Sequence, residues 1–197
     1  MMAAGIALVL WSGWHNLRER GAVHTQQPSH IVQPSGQAAE TEASESAESP
    51  SPLLGKSAPA FTLLNLDGKK VSLSDFKGHP LLINYWGTYC GPCKVEMPWL
   101  EEFNKKYAAS GFQVVGITYD SEVGKATIAR ATKQLGVTYP ILLSDAKAEA
   151  DYLSGTEILP ISFYIDKTGK VIEVVAGQGR KDEIEDKIKE TIAAGSK

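Results

Sequence analysis

Two cysteines lie three positions apart in Cys90-Gly91-Pro92-Cys93, and the 197-residue chain has no others. A bridge across so short a loop removes little entropy from the unfolded chain, so stapling a fold is a poor use for it. A closed zinc site takes four ligands, and two cysteines supply only half of them. Of the four histidines, His15, His24 and His30 lie far upstream, which leaves His79 in the same stretch as the pair. The chemistry that remains is redox. One thiolate attacks a disulfide, a mixed disulfide forms, and the second thiol resolves it.

Whether either thiol is activated depends on what surrounds it. Residues 80–86 (PLLINYW) form a near-continuous apolar run, the pattern of a strand buried on both faces. From Pro92 to position 109 the period changes to that of a helix, with Met97, Leu100, Phe103 and Tyr107 on one side and Gly111 placed to cap its end. Cys90 therefore falls at a strand-to-helix junction. The unpaired N–H groups and the dipole of a first helical turn favour a thiolate there, so its pKa should fall below that of an ordinary thiol. Pro92 suits the first helical position, where its missing N–H has no partner to lose. Cys93, one turn on, is expected to be more buried and to act as the resolving thiol.

The remaining periodicities supply a scaffold. Segments 61–66 and 70–73 read as short strands around the turn Asp67-Gly68, and 112–119 as a second apolar strand. A helix over 123–135 stops at Gly136, a short strand follows at 139–143, and a short helix covers 146–153. Strands 161–166 and 170–176 flank Lys167-Thr168-Gly169 as a hairpin, and an amphipathic charged helix closes the chain at 180–194. This order predicts an α/β domain over 53–197. Its mixed central sheet is flanked by helices and preceded by an N-terminal hairpin.

Upstream, two segments differ in kind. Residues 1–14 are almost wholly apolar, but the run falls short of the ~20 residues that a spanning helix needs. Arg18 and Arg20 follow it where a cleavable signal has basic residues in front, a pattern that a start further upstream would repair. Segment 1–20 is read as a membrane anchor or export signal, with a buried N-terminal helix as the alternative. Residues 21–52, rich in Ser, Glu, Ala and Pro, bury too little to order themselves and read as a disordered polar linker, a tether or a plain spacer. A net charge of −3 gives no basic footprint for nucleic acid, and nothing calls for an organic cofactor or a metal.

The stretch Trp86-Gly87-Thr88-Tyr89-Cys90-Gly91-Pro92-Cys93-Lys94-Val95-Glu96-Met97-Pro98 resembles the active-site segment of the thioredoxin superfamily, above all its membrane-anchored TlpA/ResA-like branch. The likeness extends to Ala58-Pro59-Ala60-Phe61-Thr62-Leu63, to Leu159-Pro160 and to Asp166-Lys167-Thr168-Gly169-Lys170. It implies a thioredoxin-like fold and a protein-disulfide reductase, since Gly91-Pro92 matches the reducing members. It also implies a place outside the cytoplasm, with disulfides of apocytochrome c or copper-site assembly proteins as substrates and a membrane thiol–disulfide protein as electron donor.

The resemblance also implies residue roles. Pro160 matches a cis-proline that faces the pair and positions an extended substrate; on sequence alone it is a proline opening a strand. Trp86, Tyr89, Gly91, Pro92, Leu159 and Pro160 form the expected substrate-binding set, although for the two aromatics plain packing is the favoured sole role. Glu96 has two readings: a proton carrier beside the cysteines, or a solvated glutamate whose charge suits the helix dipole. Asn84 stands where thioredoxin has a buried aspartate, which makes Glu96 or water the available proton carrier. Pro98 would kink the helix.

Two rivals share the fold. A thiol peroxidase wants Pro-x-x-x-Thr-x-x-Cys, but Thr88 precedes Cys90 by two and the proline is missing. A Sco-like copper protein wants a wider cysteine spacing and a downstream histidine, and none follows His79.

Overall fold

The computed structural model describes residues 51–195. The expected anchor over 1–20 and nearly all of the linker over 21–52 lie outside the described residues. Among the described residues no helix is long and apolar enough to cross a membrane.

Seven strands and four helices follow the predicted order. They are β1 Thr62–Asn65, β2 Lys70–Ser72, β3 Leu81–Trp86, α1 Gly91–Lys106, β4 Gln113–Thr118, α2 Lys125–Gln134, β5 Ile141–Leu143, α3 Ala146–Leu153, β6 Ile161–Ile165, β7 Val171–Ala176 and α4 Lys181–Ala193. The strands form one sheet in the order β2-β1-β5-β4-β3-β6-β7. Strands β3, β4 and β5 are parallel neighbours, and the outer pairings are antiparallel. The short strand β5 is what joins the N-terminal hairpin to the rest of the sheet, through Leu64 opposite Leu143.

The apolar run of β3 is buried along its whole length because both faces of the sheet are covered. Leu81, Ile83 and Tyr85 point into one cluster with Val115, Ile117, Tyr152 and Phe163. Leu82 and Trp86 point into the other, with Met97, Leu100 and Phe103 of α1, Ile128 of α2 and Ile184 and Ile188 of α4. Each large side chain buried in this way contributes roughly 1.5–3 kcal/mol.

Two helix boundaries differ from the periodic reading by more than one residue. The first helix ends at Lys106 and continues as a 3₁₀ turn, Ala108–Ser110, before Gly111 takes the left-handed cap at φ 75°. The second begins at Lys125 rather than Val123, because Gly124 at φ 85° interrupts the chain after a separate turn, Ser121–Val123. Apolar periodicity runs through such breaks without marking them.

Candidate active site

Strand β3 ends at Trp86, and after a three-residue loop Cys90 caps α1. Its backbone is extended (φ −79°, ψ 106°), and its Sγ accepts the Cys93 N–H at 3.1 Å, one of the free donors of the first turn. The two cysteines form a disulfide with their Cα atoms 5.3 Å apart. Of the pair, only Cys90 has any exposed surface, 7% against 0% for Cys93. Gly91 and Pro92 are exposed over the bridge, with Pro92 in the second helical position rather than the first. Pro98 is accommodated inside α1.

Glu96 lies one turn beyond Cys93 along α1 and is 3% exposed, so the solvated reading does not hold. Both of its oxygens are held. Oε1 accepts from Asn84 Nδ2 at 3.1 Å and from Ser162 Oγ at 3.4 Å, and Oε2 accepts the Gly179 N–H at 3.3 Å. Asn84 also donates to Ser162 Oγ at 3.0 Å, while its own Oδ1 has no hydrogen-bond partner. Burial pushes the Glu96 carboxyl up to about 7, against the opposing pull of the Gly179 and Ser162 hydrogen bonds. The titratable side chains that feel its charge are buried phenols. Tyr164 is raised by burial and then by Glu96; Tyr139 is raised by burial, then Glu101, then Glu96. No ion pair among the described residues reaches Glu96, and Arg180, next to Gly179, turns to Asp182 and Glu183.

The other expected residues divide into surface and support. Tyr89 is 66% exposed beside Cys90. Trp86 is fully buried, in the same cluster as both cysteines, and so has no surface to offer a substrate; it forms a wall of the site. The Leu159–Pro160 peptide is cis, as the resemblance implied. Half-buried Leu159 packs against the cluster that holds the cysteines, and the Pro160 carbonyl accepts the Gly177 N–H at 2.7 Å.

Sequence reasoning missed Ser162 and Gly179 as partners of Glu96, and Asp120, which grips Thr88 ahead of Cys90. A signal for the first was available: Asn84 and Ser162 are polar residues inside apolar strands, and they face each other across β3 and β6. Backbone donors such as Gly179 leave no trace in residue types.

Comparison with known proteins agrees with this geometry. The redoxin family model matches residues 53–192. A thiol-disulfide oxidoreductase ResA from Bacillus thuringiensis subsp. konkukian is 37% identical over 136 residues, covering 69% of this chain and 77% of that protein. The chain belongs to the thioredoxin superfamily, as a redoxin of the ResA-like kind. The ResA of Bacillus subtilis is 35% identical over 134 residues, 67% of this chain and 72% of its own. Among solved structures, a Chlorobium tepidum thiol:disulfide interchange protein of the thioredoxin family superposes with a TM-score of 0.63 at 28% identity, covering 69% of this chain and 95% of that one. The chain is accordingly a thiol–disulfide oxidoreductase, and its single cysteine pair is the group available for that chemistry.

Proposed function

We propose that Cys90 is the attacking thiol and Cys93 the resolving thiol of a protein-disulfide reductase. The observation that carries this assignment is the difference in access: Cys90 caps a helix and meets solvent, while Cys93 is enclosed. In the reduced protein the Cys90 thiolate attacks one sulfur of a substrate disulfide, giving a mixed disulfide and releasing the other substrate sulfur as a thiolate. Cys93 then loses its proton and attacks Cys90 Sγ. The Cys90–Cys93 disulfide forms, and the second substrate thiolate leaves. Two electrons pass from the pair to the substrate.

Glu96 is the proposed proton acceptor for Cys93. It lies one turn along the same helix, is buried, and has a proton affinity close to neutral, as a group that both takes and returns a proton requires. Tyr89, Gly91, Pro92, Leu159 and Pro160 are proposed to meet the substrate polypeptide, while Trp86 backs the sulfurs from inside.

The proposed setting is outside the cytoplasm, with segment 1–20 as signal or anchor. The support is the likeness to ResA proteins and to the secreted-protein chemistry of stable disulfides. In an oxidising compartment the spent pair needs a thiol donor, for which a membrane thiol–disulfide protein is proposed. The proposed substrates, by the same likeness, are disulfides of apocytochrome c or copper-site assembly proteins. The deciding experiment is Cys93→Ser. Incubated with an oxidised protein substrate, it should accumulate a mixed disulfide through Cys90, visible as a reducible higher band. If Cys90→Ser traps the substrate instead, the two roles are reversed.

A further inference from the structure

Asp120 makes no hydrogen bond to either cysteine, yet it is 2% exposed and is held by three donors. It lies just past β4. Its Oδ2 accepts the Thr88 N–H at 2.9 Å and also the Thr88 hydroxyl, and its Oδ1 accepts the Thr118 hydroxyl at 2.7 Å. No cation pairs with it among the described residues. A carboxylate buried without a cation is costly unless its hydrogen bonds are all made, and two of these three come from a single loop residue.

That loop is short. Only Gly87, Thr88 and Tyr89 separate β3 from Cys90, and Tyr119 N–H donates to the Trp86 carbonyl at 2.8 Å, clipping its base to β4. With Thr88 drawn inward, Tyr89 turns outward. Its ring lies back over Gly87, where a Cβ would stand 2.9 Å from the ring. It is the most exposed of the large apolar side chains among the described residues, whereas Tyr85, Tyr139, Tyr152 and Tyr164 are buried. Partial burial, and next the charge of Asp120, hold the Tyr89 phenol above its ordinary value, so the ring stays neutral.

We propose that Asp120 is a positioning residue for disulfide exchange: by gripping Thr88 it holds Tyr89 beside Cys90 as an apolar platform for the polypeptide that carries the substrate disulfide. The inference rests on the reading that Cys90 attacks protein disulfides, and its test separates the two. The full chain, turned over by dithiothreitol, is assayed with insulin and with bis(2-hydroxyethyl) disulfide, which carries no polypeptide to lie on Tyr89. Thr88→Val and Asp120→Ala should raise KM for insulin about fivefold, the size of one lost aromatic contact, and leave the rate with the small disulfide within about twofold. Thr88→Ser should restore the insulin KM. Tyr89→Ala should give the same rise, and Thr88→Val added to it should give no more. Equal losses on both substrates, additive effects or an unchanged KM would each overturn the proposal.

Amide hydrogen exchange judges the grip without reference to activity. The Thr88 N–H should be protected in the wild type and in Thr88→Ser, and should exchange fast in Asp120→Ala. A fast Thr88 amide in the wild type overturns the proposal. A wild type that reduces neither substrate overturns the underlying reading, whatever the amide shows.

Discussion

Replacing Glu96 by Gln should make the oxidised protein more stable above neutral pH and leave it nearly unchanged in acid. In the folded state burial raises this carboxyl from its ordinary 4.5 to about 7. Below the lower value both states hold the proton and the side chain costs nothing. As pH rises, the unfolded chain releases its proton first, so stability falls through the window and the full cost is present above the upper value. The gap corresponds to on the order of 3 kcal/mol at about 1.4 kcal/mol per pH unit. The glutamine of Glu96→Gln avoids this cost and can keep the contacts. Its carbonyl takes the Gly179 N–H, and its amide donates to Asn84 Oδ1, which is otherwise without a partner, once that amide rotates. The assay is urea unfolding of the disulfide-intact wild type and variant between about pH 4 and 8, within reach of both forms. The difference between the two cancels other titrations. One of these is Glu101: its burial raises it, but hydrogen bonds from Lys105, Thr138 and Tyr139 hold it low, so its contribution has the opposite sign. The variant should gain on the wild type by about 2–3 kcal/mol across the window. A difference that stays flat, or that grows in favour of the wild type, would refute the account of a buried, unpaired carboxyl.

Three further outcomes follow from the same structure. Asn84→Asp places a second carboxyl where the amide now donates to Glu96 at 3.1 Å, so the two must share a proton. Urea unfolding should show a steeper loss of stability between about pH 6 and 8 than in the wild type. Gly116→Ala puts a Cβ 2.7 Å from Ile141 Cδ1 and 3.2 Å from the Tyr139 ring, and should cost about 1–3 kcal/mol by the same measurement. Phe163→Ala empties a fully buried position that meets Tyr85 and Tyr152 edge-on, and should cost about 3–5 kcal/mol.

Much of this architecture is legible in the sequence, for identifiable reasons. Strand β3 and helix α1 are readable because PLLINYW is apolar throughout and the residues after Pro92 switch to a period that places Met97, Leu100 and Phe103 on one face; all three are buried. The cysteines mark the junction between them. Residue type does not show how Glu96 is held. Its partners come from β3, from β6 and from the backbone before α4, which are far apart in sequence and meet only in the folded sheet. The expectation that Trp86 meets substrate also fails. Trp86 is the last residue of a strand buried on both faces, so either side of the sheet would enclose it, and it packs inside with Leu82. Asp120 gives no signal because nothing in Thr118-Tyr119-Asp120 distinguishes a clamp from a turn.

The central claim is that Cys90 and Cys93 form a working dithiol–disulfide couple poised to reduce protein disulfides. Its most direct test is the equilibrium of the pair in glutathione and dithiothreitol buffers, read by trapping free thiols. The account predicts a reversible two-electron couple at or below about −230 mV, toward the thioredoxin end of the scale. A potential near about −120 mV would make the pair an oxidant and contradict the proposed direction. The absence of any reversible couple would contradict the claim itself.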